Sequence, residues 1–144
     1  MNWLLNLGRN KALIIYVIAD LFCIGLGMGV PFFCILLGFP VGWYLTKRIY
    51  TPYLDIKDLL SRIFKYALIS SSFTLLFMMI IWGTIIPRLW DPSADLANFG
   101  IPLILYDPKM SFIGWLILMI FISPFLQLMT TIFTAFTTLM RSKI

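Results

Sequence analysis

The stretch ALIIYVIADLFCIGLGMGVPFFCILLGFPVGWYLT, residues 12–46, decides the fold because Asp20 is its only charged residue. A continuous helix over this stretch would be about 52 Å long, whereas the hydrocarbon core of a bilayer is about 30 Å thick. Its middle, GLGMGVP at 25–31, holds three glycines and a proline, residues that weaken a helix. The stretch therefore predicts a helical hairpin that crosses a membrane twice, over 12–29 and 30–46.

The overall composition is also that of a membrane protein. Of the 144 residues, 61% are hydrophobic and only 12% are charged, which lies outside the range of soluble domains. The apolar segments leave little chain for a separate soluble domain, so a single transmembrane domain over 1–144 is expected. The net charge of +5 is explained better by basic residues that flank membrane spans than by binding of nucleic acid, and no nucleic-acid partner is expected.

Two further spans are predicted downstream of the hairpin, at about 67–86 and about 111–138. An outer loop at about 88–109 joins them. Its apolar middle, 99–106, is too short to cross a bilayer, so we expect it to dip into the outer interface or to cover the outer end of the bundle.

The segment that precedes the third span has an amphipathic pattern over about 52–66. Such a pattern predicts a helix that lies along the cytoplasmic interface of the membrane. Lys57, Arg62 and Lys65 fall on its polar face and are candidates for contact with anionic lipid headgroups.

The distribution of basic residues predicts the orientation of the chain. With four crossings, Arg88 and Lys109 are the only members of the eleven Lys and Arg residues that fall on the outer side. Because basic residues are enriched in cytoplasmic segments, both termini are expected in the cytoplasm. The predicted fold class is an all-α membrane protein, a four-transmembrane-helix bundle with cytoplasmic N- and C-termini and an interfacial amphipathic helix before the third span. The expected location is the plasma (inner) membrane.

Asp20 lies near the middle of the first predicted span. A carboxylate at the bilayer centre costs at least about 2.5 kcal/mol on insertion scales, so such groups face a bundle interior, water or a partner and are commonly functional. No Lys or Arg lies within any predicted span, and Tyr16 shares the helical face of Asp20 one turn earlier. We predict that Asp20 and Tyr16 form an ion or proton site.

Hydroxyl and amide side chains recur in the cytoplasmic halves of the third and fourth spans. On the fourth span they are spaced by four, three, four and three residues, which places them on one helical face. Either they pack against other helices and bond to main-chain carbonyls, or they line a hydrated path to Asp20. These candidate lining residues are Ser70, Thr74, Ser123, Gln127, Thr130, Thr134 and Thr137.

Two pairs of glycines lie one helical turn apart within the hairpin, Gly25 with Gly29 and Gly38 with Gly42. Small residues at this spacing let helix backbones approach closely. Packing within the hairpin and a seam between subunits are both compatible with the pattern.

The sequence contains neither His nor Glu, which removes the usual general bases and the imidazole ligands of metals and haem. No enzyme activity, no cofactor and no metal site is expected. The leading hypothesis is an oligomeric transporter or channel for a cation or proton, surrounded by membrane lipids and built from copies of this chain or with other membrane subunits. The alternative is a non-catalytic scaffold or accessory subunit of a larger membrane complex, in which Asp20 pairs with a group on another chain.

Overall fold

The computed structural model describes residues 5–51, 53, 55–98 and 105–143, and within these residues the chain forms helices and turns without a β-strand. Two short 3₁₀ turns, Ile86–Trp90 and Leu96–Asn98, follow the third helix, and a π-helical turn, Leu118–Ile122, joins the fourth helix to the fifth. The helices are α1 (Arg9–Leu26), α2 (Phe32–Ile49), α3 (Ile56–Gly83), α4 (Pro108–Ile117) and α5 (Ser123–Lys143).

The chain reverses between α1 and α2, in the glycine-rich segment where the sequence predicts a turn. The turn has positive φ angles at Met28 (51°) and at Gly29 (85°), and the Gly29 N–H donates to the Ile24 carbonyl at 3.1 Å. At the opposite end of the hairpin, Arg48 Nη2 donates to the Leu7 carbonyl at 2.6 Å. The basic ends of α1 and α2 therefore lie side by side.

Helix α3 runs unbroken from Ile56 to Gly83, so the predicted amphipathic segment continues directly into the third predicted span. No glycine or proline lies between its two ends to interrupt it. Its 28 residues make a helix about 42 Å long. The Asp55 carboxylate caps its start by accepting from the Ile56 N–H at 2.8 Å, while the predicted first residues Pro52 and Leu54 lie outside the described residues.

The predicted fourth span is built from α4, the π-helical turn and α5. Pro108 occupies the first turn of α4, and the Asp107 carboxylate accepts from the Lys109 N–H at 2.9 Å, so the Asp-Pro pair starts this helix. In the π-helical turn, Ser123 Oγ donates to the Leu118 carbonyl at 2.8 Å. The apolar part of the outer loop at 99–104 lies outside the described residues.

Three of the helical segments are long and apolar enough to cross a membrane: Phe32–Ile49, Ile56–Gly83 and Pro108–Arg141. Helix α1 also has 18 residues, but Arg9, Lys11 and Asp20 place three charges within it, and it is not one of these segments. The described chain is thus a helical protein with three candidate membrane-crossing helices.

In the bundle, α2 packs most extensively against α5, α3 also packs against α5, and α1 lies against α2 and α3. At the basic end, Leu59 and Ile63 of α3 pack against α5 and are buried, whereas Ile56, Leu60 and Phe64 of the same segment are exposed, so only part of the apolar face of the predicted interfacial helix contacts protein. Lys57, Arg62 and Lys65, the predicted headgroup contacts, are exposed on the other side of α3.

Candidate functional site

Asp20 is fully buried, with 0% of its surface exposed, at the place where α1, α2 and α3 meet. Thr74 of α3 donates its hydroxyl to Asp20 Oδ2 at 2.9 Å. Cys34 of α2 directs its thiol at the Asp20 main-chain carbonyl, with the sulfur 3.8 Å from the oxygen. Asp20 therefore faces the interior of its own bundle.

Tyr16 extends this polar region by one helical turn. Its hydroxyl donates to the Ser70 carbonyl at 2.8 Å and lies 3.3 Å from Thr74 Oγ1. Gln127 of α5 donates Nε2 to the Tyr16 hydroxyl at 3.0 Å, and its side chain lies beside the Asp20 carboxyl group. We call Tyr16, Asp20, Thr74 and Gln127 the Asp20 cluster; it connects α1, α3 and α5.

Two oxygen atoms in the Asp20 cluster have no hydrogen-bond partner among the described residues, Asp20 Oδ1 and Gln127 Oε1. Both are buried, and a buried polar atom without a partner is rare in folded proteins. An ionised carboxylate and an amide oxygen are both acceptors, so the cluster lacks a donor rather than an acceptor.

The chemistry around Asp20 is restricted to hydroxyl, amide and thiol groups. In the described part of the chain, no three His, Cys, Asp or Glu residues come together as a metal site would require. The basic residues of α1, Arg9 and Lys11, lie more than two helical turns before Asp20, so this helix places no cation beside the carboxyl group. The arrangement is therefore suited to a small positive species, a proton or a single cation.

The structure divides the predicted lining residues into two groups. Ser70, Thr74 and Gln127 lie at Asp20: Thr74 and Gln127 take part through their side chains, and Ser70 through its main-chain carbonyl. Ser123, one turn before Gln127, is buried, and its hydroxyl bonds to the π-helical turn.

The remaining lining residues, Thr130, Thr134 and Thr137, point away from Asp20 towards the basic end of α5. Thr130 donates to the Ile35 carbonyl of α2 at 2.9 Å, and Thr134 donates to the Thr130 carbonyl of its own helix at 2.9 Å. An open groove of about 490 Å³ lies beyond them, lined by Trp43, Thr134, Thr137, Thr138, Met140 and Arg141. That these residues line a path remains a prediction.

The two glycines of α2 face α5 at close range. A Cβ atom on Gly38 would collide with Thr130 Oγ1 and lie 2.8 Å from the Gln127 carbonyl oxygen. A Cβ atom on Gly42 would collide with the Thr131 carbonyl and lie 3.0 Å from the Ala135 nitrogen.

The other two glycines of the hairpin, Gly25 in α1 and Gly29 in the turn, have different surroundings. A Cβ atom on Gly25 would meet nothing within 4 Å, so this position is open. Gly29 belongs to the turn and lies close to Ile81 and Trp82, whose Nε1 donates to the Gly29 carbonyl at 2.9 Å.

Thr46 and Thr131 are buried polar residues outside the set of candidate lining residues, although the sequence places Thr131 beside the polar face of the fourth span; each has 1% of its surface exposed. Thr46 donates to the Gly42 carbonyl at 2.9 Å and contacts the Ala135 carbonyl of α5 at 3.2 Å. The spacing of four residues from Gly38 to Gly42 to Thr46 was a signal for this face. Thr131 donates only to the Gln127 carbonyl of its own helix, at 2.8 Å.

The Asp20 cluster joins residues that are far apart in the chain, with 111 positions between Tyr16 and Gln127. It encloses one carboxyl group that has a free oxygen and no basic partner within its own helix. No family model, no curated protein and no solved structure matches this chain, so a functional assignment rests on the chemistry of the Asp20 cluster.

Proposed function

We propose that this protein crosses the membrane four times and carries a proton or a small cation across it, with Asp20 as the binding site in the membrane interior. The observation that supports this proposal is the buried Asp20 carboxyl group, one oxygen of which has no hydrogen-bond partner in the described part of the chain. Placing a carboxylate at mid-membrane costs at least about 2.5 kcal/mol, and binding of a positive charge removes that penalty. Asparagine would fill the same space without the penalty, which favours a role for the acid itself.

The surface of α1 supports its assignment as the fourth crossing helix. Ile14, Ile18 and Phe22 lie on its outer face and are 57%, 61% and 66% exposed. An apolar face of this kind is unfavourable in water and suits contact with lipid. Arg9 and Lys11 stand at the start of the helix, where they would reach the headgroup region.

The contact between Arg48 and the Leu7 carbonyl supports the proposed orientation. It brings the basic residues before α1 and at the end of α2 to the same end of the hairpin. Basic residues concentrate on the cytoplasmic side of membrane proteins, so this end is assigned to the cytoplasm.

Access to Asp20 is proposed from the same end. The groove bordered by Thr134 and Thr137 opens there, and between it and Asp20 the helices α2 and α5 are in contact at Gly38 and Thr130. Loading and release therefore require these two helices to separate, which would connect the groove with the Asp20 cluster.

The scaffold alternative would require Asp20 to reach a group on another chain. In the structure, the carboxyl group faces Thr74 and Gln127 of its own bundle and has no exposed surface. A partner would reach it only after the bundle opened, so the transport proposal is the better supported of the two. One chain already encloses the Asp20 cluster, so the site does not require a second copy. Assembly into homo-oligomers remains a prediction.

Flux measurements on the purified full-length chain in liposomes test the proposal. Wild-type protein is expected to move protons or monovalent cations, detected with pH- and ion-sensitive dyes, and Asp20→Asn is expected to abolish the flux without altering the elution volume in detergent. Asp58→Asn is the matched control, because Asp58 is exposed at the start of α3 and its substitution removes the same charge. A wild-type protein without flux, or an Asp20→Asn variant with normal flux, would contradict the proposal. Loss of a co-purified membrane partner in Asp20→Asn would favour the scaffold.

A further inference from the structure

We infer that Gln127 is an amide switch that serves Asp20 in both its protonated and its ionised form, and that the ion taken up by the Asp20 cluster is a proton. The inference rests on the proposed assignment of Asp20 as the ion site. The inference identifies the ion as a proton and Gln127 as a second residue that takes part in binding it. The hydrogen bonds of the Asp20 cluster are the evidence for both.

Three hydrogen-bond donors of the Asp20 cluster, two hydroxyl groups and one N–H of the Gln127 amide, already have acceptors in the structure. The Tyr16 hydroxyl gives its hydrogen to the Ser70 carbonyl and accepts from Gln127 Nε2, and the Thr74 hydroxyl gives its hydrogen to Asp20 Oδ2. Asp20 Oδ1 and Gln127 Oε1 are left as acceptors without a donor. A protonated carboxyl group supplies one O–H donor, so a proton on Oδ1 directed at Gln127 Oε1 satisfies both atoms. In this inference, the arrangement in which Gln127 Nε2 donates to the Tyr16 hydroxyl is assigned to the proton-loaded form.

The ionised form is satisfied when the Gln127 amide rotates by half a turn. Nε2 then donates to Asp20 Oδ1. The Tyr16 hydroxyl turns its hydrogen from the Ser70 carbonyl to Gln127 Oε1, which accepts it. The carboxylate gains a charge-assisted hydrogen bond in addition to the one from Thr74. Oxygen and nitrogen of a glutamine amide have nearly the same shape, so the rotation needs no change in packing. A side chain with only donors or only acceptors could not serve both forms.

The proton step itself involves a single bond. On loading, a proton from water forms an O–H bond with Asp20 Oδ1, and the amide takes the orientation seen in the structure. On release, the O–H bond breaks, the proton returns to water, and the amide rotates to donate to the carboxylate. No other covalent bond changes, and the charge of the cluster alternates between zero and minus one.

Ca²⁺ and Mg²⁺ fit the cluster less well than a proton. Ca²⁺ and Mg²⁺ take about six or more oxygen ligands, whereas Asp20 Oδ1 and Gln127 Oε1 are the cluster's free oxygens. The Tyr16 and Thr74 hydroxyls are engaged in hydrogen bonds to the Ser70 carbonyl and to Asp20 Oδ2. One proton, by contrast, satisfies both free oxygens at once.

The groups that face Asp20 leave it as the residue that titrates. Tyr16 and Cys23 lie on its own helix and Cys34 on α2, and these side chains ordinarily keep their protons at neutral pH. Helices α3 and α5 present the Thr74 hydroxyl and the Gln127 amide, which do not titrate. A pH-dependent change in the Gln127 amide would therefore report the proton on Asp20.

Gln127 is the only glutamine in the sequence, so selective ¹⁵N labelling of glutamine side chains gives a single pair of amide proton resonances from the full-length protein in nanodiscs. We expect this pair to move between two positions as the pH changes. The infrared band of the protonated Asp20 carboxyl group should disappear with the same midpoint. In Asp20→Asn, the pair should keep one position at every pH. Thr46→Val is the matched control, because it removes a buried threonine hydroxyl outside the cluster, and it should titrate as the wild type does.

An amide pair that stays in one position while the Asp20 infrared band titrates would overturn the switch, and this comparison needs no variant. A pair that responds to sodium at constant pH, and not to pH, would overturn the assignment of the ion as a proton. If Asp20-dependent flux is present but the amide pair is static, only this inference fails. If the pair titrates with Asp20 but liposomes show no flux, the transport proposal fails and the switch stands.

Discussion

The substitution Gly42→Ala tests how α2 and α5 are packed, on which the geometry of the Asp20 cluster depends. The added Cβ atom would collide with the Thr131 carbonyl and lie 3.0 Å from the Ala135 nitrogen and from the Thr134 Cβ atom. Two of these three atoms belong to the backbone of α5, so no change of side-chain rotamer can make room. The two helices must therefore move apart.

The expected loss of stability follows from these contacts. Adding a methyl group to a well-packed interior costs about 1–3 kcal/mol. Separation of the helices also weakens the contact between the Thr46 hydroxyl and the Ala135 carbonyl, now 3.2 Å, which is a loss of about 1 kcal/mol. Replacing glycine by alanine within a helix returns about 0.8–1 kcal/mol. We therefore expect Gly42→Ala to lower the free energy of unfolding by about 1–3 kcal/mol.

Gly25→Ala is the matched control for this substitution. Gly25 also lies in a helix of the hairpin, but a Cβ atom there meets nothing within 4 Å. This variant should gain the helical preference of alanine, about 0.8–1 kcal/mol, without a packing penalty. The difference between the two variants should therefore be about 2–4 kcal/mol, a factor of roughly thirty to several hundred in the folding equilibrium.

The assay is reversible unfolding of the full-length protein in mixed micelles with increasing sodium dodecyl sulfate, followed by far-ultraviolet circular dichroism. The helix content of both variants is compared with that of the wild type before unfolding begins. Equal stability of Gly42→Ala and Gly25→Ala would refute the reasoning, because it would mean that Gly42 does not face the backbone of α5.

Three further predictions address other contacts in the structure. Thr74→Val should lower the free energy of unfolding by about 1–3 kcal/mol and impair liposome flux, because buried Asp20 Oδ2 loses its donor. Thr46→Val should lower stability but leave flux intact, and equal loss of flux in both variants would contradict a specific role for Thr74. Met28→Asn should raise the free energy of unfolding by up to about 1 kcal/mol. Met28 is 93% exposed with φ at 51°, and asparagine tolerates that backbone conformation better. A lower stability of this variant in the sodium dodecyl sulfate titration would disprove the prediction. Ser93 donates its hydroxyl and its N–H to Asp91 Oδ1 at 2.6 and 2.9 Å and so holds the pKa of Asp91 below its ordinary value. The ionised form of Asp91 thus stabilises the folded chain above its unfolded pKa, and this contribution is lost as the pH falls through the folded value. Ser93→Ala should raise the Asp91 pKa towards the ordinary value in an NMR titration, and an unchanged titration would show that the hydroxyl does not bond there.

The sequence alone was sufficient for features that depend on local chemistry. Apolar length sets which segments can lie in a bilayer, and the three glycines and the proline clustered at 25–31 indicate where the hairpin turns, because they weaken the helix near the middle of the stretch. Asp20 could be selected as a functional candidate for the same kind of reason, since it is the one charge within 12–46.

The sequence could not determine what each amphipathic face contacts. The pattern over 52–66 suits a lipid interface and a neighbouring helix equally well, and the structure packs Leu59 and Ile63 of this segment against α5. The same limit applies to the polar face of α5. Adjacent positions differ by about 100° around a helix, and tertiary packing decides that Thr131 is buried while Thr130 bonds to α2.

The hydrogen bonds of Asp20 were decided by tertiary structure alone. Thr74 follows Asp20 by 54 residues and Gln127 follows Tyr16 by 111 residues, and no local pattern links them to Asp20. Three helices had to pack in one register before a donor met Oδ2, and the same packing left Oδ1 and the Gln127 oxygen without one. A lone carboxyl group in an apolar segment can be found by reading residues in order, but the groups that surround it are brought together only by the packing of the helices.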